Sequence, residues 1–457
     1  MGSHAVGNGD IPLLQDFKLT ILSSSILHPS GPMESRSTLF LSNIDQILNF
    51  NVETIHFFAA NPDFPPETVA EKLRSAVKRV LVPYDFLAGR LIRLEGKEGR
   101  LEIDCNSAGV EFLVAESELR LDQIGELEYP NPAFRQLAAA GAVREGLKME
   151  DRFLCSFQLT FFKCGGFALG ISNNHVTFDG ISFKNFLQNL AFLAAGDHHR
   201  LPLPIPPFTN RHLLSTRSPP RVTFSHPELI ETPFFSTILE AEPSPSNLRF
   251  KLLRLSAADI SSLKLLVQPR ATRATSFNVV VAHLWRCKMR SLLPESSPED
   301  LKRASMVLYA VDIRKKVSPP LPPGYAGNAV LTAYGAAARE EVAGGEFGKL
   351  VEAVAKGAER MDDEYARSVI DWGAVYRGLP KGDMFVSSWW RLGFADVDFP
   401  WGKALYTCPV ADPKRDVALL LPSIGGAEDG VNVLVALQGE EMDRFEEYFY
   451  KLLPKDE

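Results

Sequence analysis

Cysteine is scarce. The 457-residue chain holds five, at positions 105, 155, 164, 287 and 408, an odd number with no CxxC pair. That spacing offers neither a zinc ligand set nor a disulfide framework, so all five are expected as reduced core residues. Long apolar runs are missing too. The stretch Val-Val-Val-Ala at 279–282 falls far short of the roughly 18 residues a membrane span needs. The opening residues lack the basic-then-apolar build of a signal peptide, and Val6 stands where a myristoylation signal after Gly2 wants Ser or Thr. No Asn-x-Ser/Thr sequon occurs. A cytoplasmic protein without a membrane span is the expectation. Basic excess is absent: 49 Lys and Arg face 56 Asp and Glu, a formal charge of −7. Nucleic acid is thereby disfavoured as the main partner, while a local basic pocket for an anionic ligand stays open. Phosphate-binding loops are missing as well. Gly344-Gly-Glu-Phe-Gly-Lys has the wrong spacing for a Walker loop, no GxGxxG follows a strand, and there is no GxSxG elbow. No metal ligand cluster is visible; His198-His199 is an isolated pair in a loop.

What remains is a large folded protein. Hydrophobic residues make up 45%, charged residues 23% and aromatics 10%, at a length that suggests two or three domains. Residues 12–60 read as strand-rich, and the run from Pro65 to Val80 has apolar residues at helical spacing. Residues 153–172 look like a buried hairpin turning at Cys164-Gly-Gly, and 182–195 like a helix. Between 201 and 235 eight prolines crowd in and the apolar period disappears, which marks a connection between domains. The expected division is therefore 1–195, a Pro-rich crossover at 196–235, and 236–457. In the second half helices are expected near 256–267, 277–292, 345–365 and 440–453. Strands are expected at 306–311, 417–421 and 431–437. Both halves are α+β.

Two stretches carry groups suited to chemistry. Residues 171–183 place His175 and Asp179 four apart between a buried strand and a helix. A histidine there can take a proton at neutral pH, its unperturbed pKa being about 6.5. Read alone, the stretch favours His175 as a hydrogen-bonded core histidine, with Asp179 as a helix cap. The second stretch runs from Ser387 to Lys403 and gathers three tryptophans, Asp398 and a Pro-Trp-Gly turn.

Together these motifs make the chain resemble the plant BAHD acyltransferases, which move an acyl group from coenzyme A to an alcohol or amine. The HxxxD signature of that family stands as His175-Val-Thr-Phe-Asp179, followed by Gly180, and its DFGWG signature as Asp398-Phe-Pro-Trp401-Gly402, with Pro400 replacing the middle glycine. Lesser marks fall in register: Leu41-Ser-Asn-Ile-Asp-Gln, Leu87-Ala-Gly-Arg-Leu, Ala282-His-Leu-Trp-Arg and Val311-Asp-Ile-Arg. Tyr325-Ala-Gly-Asn-Ala loosely matches a further motif. The runs 41–50 and 129–134 look like the GLAUCE-type branch, near enzymes that acylate hydroxylated lipids and phenolic alcohols.

The resemblance implies two chloramphenicol-acetyltransferase-like domains, joined by the long crossover, with a channel between them. It implies His175 as general base and acyl-CoA as donor substrate, with no permanently bound cofactor and no metal. Trp389 and Ser387 match positions that steady the tetrahedral oxyanion. Asp179 is implied to be structural, and Asp398 to pair with an arginine, taken here as Arg314. Arg273, Ser276 and Lys288, on or near the helix starting about Ser276, are candidates for the coenzyme A phosphates. A small-molecule hydroxyl acceptor and a monomer are expected. An amine acceptor of the same family, or a catalytically idle ligand-binding homologue, are the alternatives, the latter opposed by the intact His175.

Overall fold

The computed structural model describes residues 16–31, 38–94, 96, 99–128, 131–138, 147–196, 202–232, 248–267, 274–293, 297–410, 414–424 and 430–453. Two six-stranded sheets organise it. The first orders its strands Leu19–Leu27, Val110–Ser117, Cys155–Phe162, Phe167–Asn174, Asn51–Phe58 and Tyr406–Pro409. The second orders Leu248–Ser256, Gly430–Gln438, Val417–Pro422, Met384–Ser388, Ala304–Asp312 and Val330–Ala338. The fold is α+β.

The central strands of the first sheet read as unbroken apolar runs because both faces are covered. Phe157, Leu159 and Leu169 join a core with Val69, Leu73 and Val77 of the helix Pro66–Val80 and with Phe186 and Leu190 of the helix Gly180–Ala195. Ile55 and Phe57 point to the opposite face, against Phe134 and Leu137. The second sheet buries Val307, Tyr309, Met384 and Val386 against Val280, Leu284 and Trp285 of the helix Ser276–Leu292.

Two sequence expectations change. The single helix expected over 345–365 is two, Phe347–Arg360 and Asp363–Val375, because the Asp362 side chain accepts a hydrogen bond from the Tyr365 N–H at 2.9 Å and caps a new start. The unit 236–457 is also not self-contained. Tyr406–Pro409 leaves it and pairs antiparallel with Asn51–Phe58, Tyr406 opposite Phe57, to complete the first sheet. The crossover itself is built on short turns and the strand Leu229–Glu231.

Candidate active site

The strand Phe167–Asn174 delivers His175 to the junction of the two sheets. The His175 N–H bonds the Phe50 carbonyl at 2.7 Å, and the Thr177 hydroxyl bonds the Asn174 carbonyl at 2.6 Å, so the loop is tied at once on leaving the strand. Four residues on, Asp179 caps the helix Gly180–Ala195, its Oδ1 accepting the Ser182 N–H at 2.9 Å. Gly180 opens that helix where a methyl group would meet Leu392 Cδ1 at 2.5 Å. The loop aims its two functional groups differently. His175 lines a cavity between the sheets with its ring half-buried, whereas the Asp179 side chain is clamped by Arg314.

That clamp corrects a sequence expectation. Arg314 pairs with Asp179 and not with Asp398: Nη1 reaches Oδ2 at 2.8 Å and Nη2 reaches Oδ1 at 2.9 Å, with a further contact to Asp312 at 2.9 Å. Burial alone would raise the Asp179 pKa, but the Arg314 charge and its hydrogen bonds outweigh burial and hold the carboxyl below the usual range. Asp398 is exposed. Its motif is anchored by its aromatics. Phe399 and Trp401 are buried in the first domain's core, stacked at 5.2 Å and packed on Phe58. The Gly402 N–H bonds the Phe399 carbonyl at 2.9 Å, which puts Pro400 at the second position of the turn, where proline fits. The positive φ of +114° belongs to Gly402, so proline in place of the motif's middle glycine meets no conformational conflict.

Around His175 the structure adds partners to which the sequence gave no role. Nδ1 lies 3.1 Å from Asn328 Oδ1, and the ring packs against Phe50 at 5.2 Å. Asn328 in turn reaches Asp45 at 2.8 Å, and Asp45 lies 3.4 Å from the fully buried Arg211. Asn328 and Asp45 stand in runs noted in the sequence, at Tyr325-Ala-Gly-Asn-Ala and Leu41-Ser-Asn-Ile-Asp-Gln. Arg211, inside the Pro-rich crossover, had no signal. Burial lowers the His175 pKa, against the smaller opposing effects of Asp179, Asn328 and Asp45. That shift favours the neutral ring near pH 7.

The cavity measures about 1360 Å³. One large ligand usually occupies about 300–1,000 Å³, so there is room for two substrates side by side. On the strand Met384–Ser388, Met384 and Val386 face the core, while Phe385 and Ser387 face the cavity, followed by Trp389. Ser387 and Trp389 are thus brought to the same cavity as His175. The proposed phosphate contacts are not. Lys288 lies about 18 Å along its helix from Ser276, outside the cavity lining, and its ammonium is buried between Asp416, at 2.5 Å, and Glu441. A cation neutralised twice is not available to a phosphate. Ser276 opens its helix half-buried and away from the cavity wall. Arg273 lies outside the described residues. Among the described residues there is no group of side chains with metal-ligating geometry, and no helix is long and apolar enough to cross a membrane.

Vinorine synthase superposes on the chain with a TM-score of 0.75 at 24% identity, over 96% of this chain and 99% of that one. Two lobes of this build sharing one cavity define the chloramphenicol-acetyltransferase-like fold of acyltransferases. The model of the Transferase family matches residues 17–452. The chain is 49% identical to Acyltransferase GLAUCE of Arabidopsis thaliana, over 96% of each. It is 34% identical to the omega-hydroxypalmitate O-feruloyl transferase of the same plant, over 92% of this chain and 90% of that one. The chain belongs to the BAHD acyltransferase family.

Proposed function

We propose that the protein transfers an acyl group (acetyl, aliphatic or hydroxycinnamoyl) from acyl-CoA to the hydroxyl of a plant specialised metabolite, phenolic alcohol or hydroxylated lipid. His175 acts as general base in a ternary complex. The observation that carries this reading is a neutral histidine on the wall of a cavity large enough for both substrates. His175 takes the hydroxyl proton as the acceptor oxygen attacks the thioester carbonyl. The oxyanion of the tetrahedral intermediate is met by the Ser387 hydroxyl and the Trp389 indole N–H. The C–S bond then breaks, and the imidazolium returns its proton to the thiolate sulfur, leaving an ester and free coenzyme A. A thioester is already activated, so a positioned base and oxyanion donors suffice.

The charges on the cavity wall favour a hydroxyl over a polyamine. Its carboxylates among the described residues, Glu53, Asp179, Asp312 and Asp416, are all in ion pairs with Arg135, Arg314 or Lys288. None is left to hold an ammonium group. The long apolar walls, with Ile44, Leu48, Val330, Ile370 and Leu379, suit an aliphatic or aromatic acceptor, and the omega-hydroxypalmitate in one relative's name is aliphatic.

The test is a matrix of acyl-CoA donors against fatty alcohols, ω-hydroxy acids, phenolic alcohols and polyamines, read by product mass and thiol release. Ester products are expected, and His175→Ala should lower turnover by roughly 10²–10⁴ without a change in melting temperature. A folded His175→Ala that keeps more than about a tenth of the rate, or amide products alone, would defeat the proposal.

A further inference from the structure

We propose that Asn328, Asp45 and Arg211 are positioning residues that hold His175 in the tautomer with its proton on Nδ1, leaving Nε2 as the base. The inference rests on the reading of His175 as general base and adds what makes it one.

The argument starts from the Asn328 amide. Its Nδ2 donates to Asp45 Oδ1 at 2.8 Å and to the His175 carbonyl at 2.8 Å, and both of these oxygens are pure acceptors. Its Oδ1 is therefore the atom that faces Nδ1, at 3.1 Å. An amide oxygen only accepts, so Nδ1 must carry the hydrogen. Turning the amide over would set its oxygen against two acceptor oxygens in a buried site and take this donor from the His175 carbonyl and from Asp45 Oδ1.

Asp45 is itself fixed. Its Oδ2 accepts from the Ser42 N–H and the Ser42 hydroxyl, both at 2.8 Å, which leaves Oδ1 for Asn328 and Arg211. Arg211 is fully buried and comes from the crossover. Besides lying 3.4 Å from Asp45 it donates to the carbonyls of Val176 at 2.6 Å, Thr177 at 2.8 Å and Ala326 at 3.3 Å. One guanidinium thus ties the residues just after His175 to the turn just before Asn328. The relay draws one member from each part of the chain and converges on one nitrogen. A free neutral imidazole prefers its proton on Nε2, the reverse of what the proposed reaction needs. Where another imidazole base is placed in the wrong tautomer, turnover falls by about 10⁴.

The direct test is the long-range proton–nitrogen spectrum of ¹⁵N-histidine-labelled protein at pH 8, with the His175 signals assigned by their loss in His175→Ala. A protonated Nδ1 and a bare Nε2 are expected; a protonated Nε2 overturns the proposal. Asn328→Leu, which removes the amide at similar volume, should lower kcat about 100-fold and leave both KM values within about twofold. An unchanged kcat also overturns it. Asp45→Ala should shift the His175 nitrogen signals toward the other tautomer. If that variant does not fold, the wild-type spectrum and Asn328→Leu still decide. Wild-type protein that shows the Nδ1 proton but no turnover with any donor and acceptor would defeat the proposed function and leave the tautomer assignment standing.

Discussion

Arg314 clamps the aspartate of the first signature. It meets both carboxylate oxygens of Asp179, bonds the Ser182 hydroxyl at 2.8 Å and contacts the Gly327 carbonyl at 3.2 Å. Both partners are buried, so removing either leaves a charge without its counterion. Asp179→Ala and Arg314→Ala should each cost about 3–5 kcal/mol, seen as a lower urea midpoint, and the double variant should lose less than the sum. Asp398→Ala, on the surface, should leave the midpoint in place. An equal loss at Asp398, or additive losses at 179 and 314, would break this assignment. The sequence reached the right arginine and the wrong aspartate for a physical reason. Both aspartates lie in signature motifs, and spacing along the chain does not say which carboxylate meets a given guanidinium.

Between residues 217 and 228 the crossover is clasped to the helix Asp363–Val375. Arg217 reaches Asp371 at 2.6 Å and Glu364 at 2.9 Å, the Thr223 N–H bonds the Ser368 hydroxyl oxygen at 2.9 Å, and His226 Nε2 lies 2.7 Å from that same oxygen. The next residues of the helix, Val369, Ile370 and Trp372, line the cavity. Ser368→Ala would take this partner from the buried His226, a loss of about 1–3 kcal/mol. It should also raise the KM for the acceptor while that for the donor stays put; an unchanged pair of KM values would mean the clasp does not shape the cavity. Elements of this kind were only partly legible in the sequence. The helix from Pro66, the hairpin at Cys164 and the strands from 306 and 431 announce themselves by period and turn residues. The break at Asp362 is a cap signal set inside a longer apolar period, which masks it. The crossover is legible as a connection but its clasp is not, because its bonds run from polar side chains to elements about 150 residues away and leave no local pattern.

At the scale of the whole molecule, acid should unfold the protein through its buried histidines. Burial holds His56, between the Thr54 and Thr407 hydroxyls, down to about 3, and His283 to about 4. In the unfolded chain both titrate near 6.5, so below that pH the unfolded state binds more protons and stability falls with falling pH, levelling only once the folded values are passed. Each such histidine contributes a slope of about 1.4 kcal/mol per pH unit in that window. The urea midpoint should decline from pH 6.5 toward pH 4.5, and less steeply in His56→Gln; a flat profile between pH 7 and 5 would contradict the buried neutral state.

The strand Tyr406–Pro409 has a consequence for how the chain comes to be folded on the ribosome. Its partner Asn51–Phe58 is made early and waits with one edge open until position 409 has emerged. At roughly 5–20 residues per second that wait lasts about 20–70 s. During this time the apolar places of Phe399 and Trp401 beside Phe58 are vacant as well. The first half of the protein is thus a nascent intermediate with an unpaired edge and an unfilled core, the kind of surface that holding chaperones recognise. The last quarter of the chain is what closes it.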